Sequence, residues 1–533
     1  MKITTVNSQV SVSDQIHSND IATLSDLGVT TIICNRPDGE AADQPSVEEI
    51  TAAANARNIV VVNLPFTAGK MSDSAVLVFR EIMGSGQRIH AYCRTGNRSS
   101  MIFDAANRSG QSTAPALSPT ATQAKPTFDI VIIGAGAGGI AVSASLLKRN
   151  KKLRIALIDP SSKHYYQPGW TMVGGGVFSA KSTERRTADL IDHRASLIVS
   201  AVTQVVAEES KVVLSDGGEV YYQQLVVAPG LVINWGAIEG LSESLGKYGV
   251  TSNYRYDLAP YTWELVQQTT HGKAIFTQPP MPIKCAGAPQ KALYLSADHW
   301  YKNNTINNID IDFCNAGGLL FGVAAYVEPL MAYIKKYNAA LSFNHNLVKV
   351  DGPNKKAWFD VSDSHGNKTR VCKEFDMLHV CPPQHAPDFI RSSGLSDQAG
   401  WLDVNPQTLQ HKQHSNIWGL GDVMNTTNAK TMAAVRKQVP VVAKNICAAQ
   451  AAQQPAAHYD GYGSCPLTVE RGKIILAEFC YGGRVAPTFP NWLNNGTKPT
   501  RLAWLLKAVG LPFVYWNLML KGHEWFTDCP AEK

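Results

Sequence analysis

Phe128-Asp-Ile-Val-Ile-Ile-Gly134-Ala-Gly136-Ala-Gly-Gly139-Ile140 decides the fold class of this chain. An apolar, β-branched run reads as a buried strand, and the apolar stretch from Ile140 to Lys148 reads as a helix. Between them, Gly134 permits a tight turn, Gly136 lets backbone approach a pyrophosphate, and Gly139 lets helix and strand pack closely. The helix N-terminus then favours phosphate charge. The next strand, Leu153-Arg-Ile-Ala-Leu-Ile-Asp159, ends in a carboxylate 20 residues after Gly139, the spacing expected of a group that binds an adenosine ribose. Strand, glycine turn, helix, strand and acid together predict a dinucleotide-binding Rossmann-like unit.

Working outward, further strands are expected at 211–214, 224–228, 273–276, 309–314 and 377–381. Gly419-Leu-Gly421-Asp422 follows a short apolar strand at Asn416-Ile-Trp418. Upstream, Gly110 to Pro126 is rich in Pro, Ser, Thr and Ala and has no periodicity, so it reads as a linker. Before it, strands at 28–34, 58–63 and 88–93 alternate with a Ser46-capped helix and a second helix from Ser99, which predicts a small α/β domain. The expected boundaries are 1–108 for that domain, 109–126 for the linker, 127–500 for the dinucleotide-binding body and 501–533 for a C-terminal region.

The chain has 533 residues, 44% hydrophobic and 17% charged, with a formal net charge of +6. That is an ordinary folded composition. Without a Lys/Arg block, nucleic-acid binding is not expected; attraction to an anionic membrane surface is compatible. Ten cysteines without a CxxC pair do not form a disulfide scaffold or a zinc site, so no metal is expected. The start of the chain lacks the apolar core of a signal peptide, and a reducing cytoplasmic setting is expected. The apolar run from Leu502 to Leu520 is interrupted by Lys507 and Pro512. It reads as two short pieces rather than a span, either a buried helical pair or, given Trp504, Tyr515, Trp516 and Trp525, an interfacial segment.

Two cysteine sites carry chemistry. Cys93 ends a strand in His90-Ala-Tyr-Cys93-Arg94-Thr-Gly96-Asn-Arg98-Ser99. Inward-pointing backbone N–H groups, the Arg98 fork and a helix start favour an oxyanion and a depressed thiol pKa. Cysteine phosphatases place five residues between Cys and Arg; rhodanese-type sulfurtransferases place four, as here. This region resembles the small protein tyrosine phosphatase-like sulfurtransferase domains fused to sulfur-detoxifying enzymes, with Asn35-Arg-Pro-Asp-Gly-Glu40 as its other motif. Asp38 is a candidate general acid, although a Pro-Asp-Gly turn is the simpler reading. The second site is Cys285, in Met281-Pro-Ile-Lys-Cys-Ala-Gly-Ala-Pro-Gln290. Lys284 and a Gly/Pro loop favour an accessible, partly ionised thiol there.

From Phe128 to about Trp525 the chain resembles the sulfide:quinone oxidoreductases of mitochondrial-like type. The residues that carry this are Gly134 to Gly139, His164-Tyr-Tyr-Gln-Pro-Gly-Trp-Thr171, Pro282 to Lys291, Phe321-Gly-Val323, Gly421-Asp422, Ala429-Lys430-Thr431, Asp460-Gly-Tyr462, Leu476-Ala-Glu-Phe479 and Tyr515-Trp-Asn517. The resemblance implies two Rossmann-like halves and a C-terminal helical region at a membrane surface. It implies FAD as cofactor, held by Gly134, Gly136, Gly139, Asp159, Gly421, Asp422 and Lys430, with quinone as electron acceptor. Cys285 stands where a related pyridine-nucleotide enzyme has its second glycine turn, which argues against hydride uptake from NAD(P)H.

The resemblance also implies a second cysteine directly after the Gly-Asp pair, and Val423 occupies that position. Cys381, Cys314 and Cys480 are candidate replacements. Alternatively Cys285 works alone, with a low-molecular-weight persulfide or the N-terminal domain supplying the second sulfur, or it serves another substrate. The expected function is oxidation of sulfide or persulfide through Cys285 with electrons to quinone, coupled to sulfur transfer through Cys93 and Arg98 to a thiol acceptor. About 17 flexible linker residues would span roughly 20–25 Å. The expected setting is cytoplasmic, peripheral on the membrane, as a homodimer. The alternative reading is a cysteine phosphatase-like domain fused to an FAD redox sensor or an NAD(P)H:quinone reductase.

Overall fold

The computed structural model describes every residue except 8, 42, 58, 68–70, 72, 85–86, 109–126, 526 and 528–533. The expected linker lies outside the described residues. The chain divides into two compact units, Met1–Gln123 and Ala124–Lys533.

In the first unit a five-stranded sheet runs in the order Ile3–Thr5, Val10–Ser13, Ile89–Tyr92, Thr31–Cys34, Val60–Asn63. All neighbours are parallel except the first pair. Alternate side chains enter two cores. One gathers Val10, Ile33, Phe79 and Ala91; the other gathers Leu24, Ile32, Ile50 and Tyr92. The helix Val47–Asn55 starts as expected, with Ser46 and Glu49 exchanging hydrogen bonds in a capping box.

In the second unit the leading strand is Thr127–Ile133 and the glycine turn opens the helix Ala137–Arg149. Its sheet runs Ala195–Ile198, Ile155–Ile158, Thr127–Ile133, Glu219–Val227, Lys211–Leu214, Val202–Val206, and Ile417–Gly419 also pairs with Glu219–Val227. This late strand brings Gly421-Asp422 beside the glycine turn. A second sheet, all parallel, runs Val250–Thr251, Met377–His379, Gly272–Gln278, Ile309–Asn315, Ala340–Phe343. The fold is therefore α/β with two Rossmann-like halves, as the sequence implies.

An antiparallel hairpin, Gly463–Glu470 with Lys473–Phe479, packs against the helix Ala288–Lys302. The C-terminal region departs from expectation. Helix Arg501–Leu505 does not stop before Pro512; it passes through a π-helical turn, Leu506–Gly510, into Leu511–Asn517. Proline lacks an N–H, and the wider turn lets the helix continue where a regular α-turn would have lost a bond. Arg501–Lys521 is long and apolar enough to cross a membrane by length and composition, contrary to the reading as two short pieces.

Candidate active site

The glycines are structurally required. A Cβ on Gly139 would lie 1.8 Å from the Gly134 carbonyl oxygen, and one on Gly134 would lie 2.4 Å from that of Ala228. Gly134 also has φ +98°, in the region that favours glycine. Gly136 meets nothing within 4 Å and faces open space. Asp159 accepts a 2.7 Å hydrogen bond from the Ala135 N–H and lines the same cavity as Gly136 and Asp422.

That cavity holds about 790 Å³ and extends from the glycine turn to Cys285 and the C-terminal helix. Along its wall Trp170 Nε1, Thr171 Oγ1 and both amide atoms of Asn253 are buried without hydrogen-bond partners among the described residues. Buried polar groups normally find partners. Unpartnered donors and acceptors on the wall of a cavity that also takes in the glycine turn fit a flavin dinucleotide. Lys430 donates at 2.8 Å to the Asp422 carbonyl and at 2.7 Å to that of Met424, so it shapes the Gly-Asp turn from beneath. Burial pushes its ammonium down to about 8.

Two neighbouring thiols come from two separate elements. Cys285 follows the strand Gly272–Gln278 and precedes the helix Ala288–Lys302; its backbone N–H is fixed by Lys430 O at 2.8 Å. Its Sγ stands 3.6 Å from Sγ of Cys465, on the hairpin strand Gly463–Glu470. Gly287 makes that approach possible, since a Cβ there would fall 2.5 Å from Cys465 Sγ. Cys465 is the second thiol. The expectation of a cysteine after the Gly-Asp pair is corrected: Val423 is fully buried in the core of the first half. None of the three proposed replacements has its sulfur paired with Cys285 among the described residues. Cys314 contacts Asp312, Cys480 contacts Asp460, and Cys381, which packs in the small core beside Cys285, is pushed up to about 12 chiefly by burial.

Lys291, one helical turn from the thiol loop, places Nζ 3.1 Å from Cys285 Sγ. This, rather than Lys284, is the lysine on the sulfur. Lys284 is directed to Gln167 and lies over the Trp170 and Tyr254 rings. The hydrogen bond from Cys465, followed by the Lys291 and Lys507 charges, outweighs burial and holds Cys285 well below the usual thiol range. Cys465 is held well above it, first because it donates to Cys285. The hydrogen bond between them and the Lys291 contact thus favour negative charge on Cys285 over Cys465. Lys507, from the π-helical turn, is buried, donates to Pro168 O at 2.9 Å and lines the same cavity; burial and Lys291 push it down to about 7.

Sequence reasoning missed Cys465, although Gly463-Ser-Cys-Pro466 follows directly on the recognised Asp460-Gly-Tyr462. It passed over Lys291 inside a quoted motif, did not single out Asn253, and read Lys507 as a basic flank of an interfacial segment, where the structure instead buries it against the cavity.

Comparison with known proteins agrees with this geometry. A Dictyostelium discoideum protein, "Sulfide:quinone oxidoreductase, mitochondrial", is 41% identical over 75% of this chain and 88% of its own length. The protein of the same description from Mus musculus is 36% identical, again over 75% of this chain and 88% of its own. The chain belongs to the sulfide:quinone oxidoreductase family. It is an FAD-dependent oxidoreductase, with residues 128–262 matching the pyridine nucleotide-disulphide oxidoreductase model. The solved sulfide:quinone oxidoreductase of Aquifex aeolicus shares the fold, with TM-score 0.62 and 18% identity over 76% of this chain and 97% of that one. Residues 2–109 match the phosphatase-like domain of beta-lactamase hydrolase-like protein.

In that N-terminal domain, Cys93 is buried at the end of its strand. Burial opposes ionisation, but the backbone N–H groups of Ser99, Thr95 and Arg98 outweigh it and hold the thiol below its usual value. Asp38 accepts from Val47 N at 3.0 Å in a turn with Gly39 at φ +78°. The turn reading holds, and the Asp38 carboxylate is committed to the start of a helix.

Proposed function

We propose that this protein oxidises sulfide at Cys285 and Cys465 and passes the electrons to quinone, and that its N-terminal domain receives the sulfane sulfur on Cys93. The observation that carries the reading is the 3.6 Å thiol pair with Lys291 on one sulfur.

The asymmetry of the pair supports a division of roles. In the oxidised enzyme the two sulfurs form a disulfide. Hydrosulfide attacks the Cys465 sulfur, because the better leaving group is the thiolate that is already stabilised, Cys285. The Cys285–Cys465 bond breaks as the new S–S bond forms, leaving a persulfide on Cys465 and a thiolate on Cys285. An acceptor thiolate then takes the outer sulfur, and Cys465 regains its proton. Re-forming the disulfide releases two electrons. FAD, when bound by Gly134, Gly136, Gly139, Asp159, Gly421 and Asp422, supplies the route for that pair of electrons to quinone. Asn253, Trp170 and Thr171 would offer hydrogen bonds to the bound cofactor, and the Lys291 and Lys507 side chains would offset negative charge in the chamber. Lys430 supports the Gly-Asp turn.

The C-terminal helix exposes Leu502, Leu505, Val509 and Phe513, spaced three and four residues apart along one stripe. Such a stripe suits a peripheral membrane position, from which a lipid-soluble quinone enters the cavity past Phe513 and Leu506. The sulfur leaves as a persulfide of a small thiol and is taken up by Cys93 or by a final acceptor.

The test is anaerobic bleaching of the flavin by sulfide, followed by addition of a short-chain quinone. Bleaching that disappears in both Cys285→Ser and Cys465→Ser, and recovery with quinone, is expected. Bleaching at the wild-type rate in Cys465→Ser would remove the mechanism. NADH-driven bleaching would favour the reductase reading. For the coupling, Cys93→Ser should slow delivery of sulfane sulfur without changing bleaching; unchanged delivery refutes that part.

A further inference from the structure

The hairpin that carries Cys465 has a second face. Side chains alternate along each strand. Cys465, Leu467, Ile475 and Ala477 enter the core against the helix Ala288–Lys302, whereas Ser464, Pro466, Leu476 and Glu478 line the cavity. Ser464 lies opposite Glu478, and Pro466 opposite Leu476, in the antiparallel register. Leu476 packs with Phe489 and Leu506, so this face adjoins the C-terminal helix at the end of the cavity where quinone is proposed to enter.

Glu478 places a carboxyl group there that neither the thiols nor the glycine turn uses. The residue is 3% exposed. Its Oε1 accepts hydrogen bonds from the Tyr462 hydroxyl at 2.6 Å and from the Thr488 hydroxyl. Its Oε2 has no hydrogen-bond partner among the described residues. One phenol fixes the backbone: Glu478 N donates to the Tyr326 oxygen at 3.0 Å, and that hydroxyl donates to Glu478 O at 3.1 Å. The nearby cations are turned to other groups. Arg436 donates to Trp525 O at 2.7 Å, and Lys437 lies over the Tyr462 ring. Thr488 is an exposed residue that also lines the cavity, so a hydrogen-bonded path leads from the surface through its hydroxyl to Glu478.

Quinone becomes quinol by gaining two electrons and two protons. At an end of the cavity walled by Leu476, Phe489 and Leu506, a side chain is the direct source of a proton. We propose that Glu478 is a catalytic acid of this protein, protonating quinone as it is reduced, and that Thr488 connects it to solvent. This deepens the reading of electron transfer to quinone and rests on it. In the step assigned, the quinone takes two electrons and one proton from the reduced cofactor and the second proton from the Glu478 carboxyl. The carboxyl O–H bond breaks as an O–H bond forms on a quinone oxygen. The carboxylate left behind recovers its proton from solvent through the Thr488 hydroxyl. Quinone is itself the oxidant, so nothing further is needed.

The experiment uses the full-length flavoprotein as wild type, Glu478→Gln and Thr488→Val. Glutamine can still accept from Tyr462 and Thr488 and can donate to a quinone oxygen, but it has no proton to release. The flavin is reduced anaerobically with stoichiometric dithionite as well as with sulfide. It is then mixed with a short-chain quinone or with ferricyanide, a one-electron acceptor that takes no proton. Binding of the quinone to the oxidised enzyme is followed separately by quenching of tryptophan fluorescence. Glu478→Gln should be reoxidised by quinone about a hundredfold more slowly than wild type, with reoxidation by ferricyanide and quinone affinity unchanged. Thr488→Val keeps the acid but cuts its path to solvent, so it should match wild type in the first turnover and fall behind in steady state. Reoxidation of Glu478→Gln by quinone at the wild-type rate overturns the proposal. So does an equal slowing with both acceptors, or a loss of quinone affinity that accounts for the slowing, since these assign Glu478 a structural or a binding role. Steady-state turnover of Thr488→Val equal to wild type refutes the solvent path. A wild-type enzyme that ferricyanide reoxidises and quinone does not takes away the quinone reading itself, a failure seen without any variant.

Discussion

Replacing Lys291 by Met tests the central electrostatic claim. The ammonium lies 3.1 Å from Cys285 Sγ in a buried setting. At that separation and an effective dielectric constant near 20, the Coulomb attraction is about 5 kcal/mol. Much of it is offset by desolvation of both groups, and measured charge-assisted hydrogen bonds retain about 1.5–3 kcal/mol. Methionine fills a similar volume without charge, so the loss should fall on the thiolate rather than on packing. That energy corresponds to an ionisation equilibrium of Cys285 roughly tenfold to hundredfold less favourable to the thiolate. The sign follows from the direction of the shift. Cys285 is held low, so its thiolate is fully present above its depressed folded value and is lost as pH falls through it. Without Lys291 the loss begins at a higher pH. The assay is the rate of Cys285 alkylation by iodoacetamide in the reduced enzyme across pH, with sulfide-driven bleaching alongside. An unchanged alkylation profile in Lys291→Met would refute the assignment of Lys291 as the counter-ion.

Asp159→Asn should weaken FAD retention by about tenfold or more, because a charged acceptor on the Ala135 N–H is lost; titration of the apoprotein followed by flavin fluorescence measures it. Leu505→Glu with Phe513→Glu places charges in the exposed stripe and should abolish co-sedimentation with lipid vesicles while bleaching by sulfide persists. For Lys507, held down to about 7 by burial, the unfolded chain keeps the proton above that pH while the folded chain releases it. Wild-type stability should therefore rise with pH from about 7 upward relative to Lys507→Met, read as a widening of the Tm difference in favour of wild type between about pH 6 and about pH 9.

The parts of this molecule that were legible in the sequence are those written in consecutive residues. Thr127–Ile133, the three glycines and Asp159 form one contiguous unit whose spacing has a local physical reason, and the structure carries it as expected. The Cys93 loop is similarly local. The thiol pair is different, since Cys285 and Cys465 are 180 residues apart and meet only when a hairpin packs on a helix. No period or spacing encodes that meeting. Positional analogy pointed to 423, where the chain instead needs an apolar side chain to fill the core under the Gly-Asp turn. The counter-ions were hidden for a related reason: Lys284 is nearer to Cys285 in sequence, but the helical turn brings Lys291 to the sulfur. Pro512 was misread because a proline ordinarily breaks a helix, and a π-helical turn is a tertiary solution to that local conflict.

Because the Cys465 sulfur rests over the bare α-carbon of Gly287, the reach between the two sulfurs belongs to two backbones more than to two side chains. A substitution that slid the hairpin by a fraction of an ångström would disarm the protein while leaving both cysteines in place. Heredity would register no damage at the reactive positions, and a reader counting thiols would score the gene as intact. The function of the thiol pair therefore depends on the stiffness of Gly463–Phe479 and the bareness of one glycine as much as on sulfur.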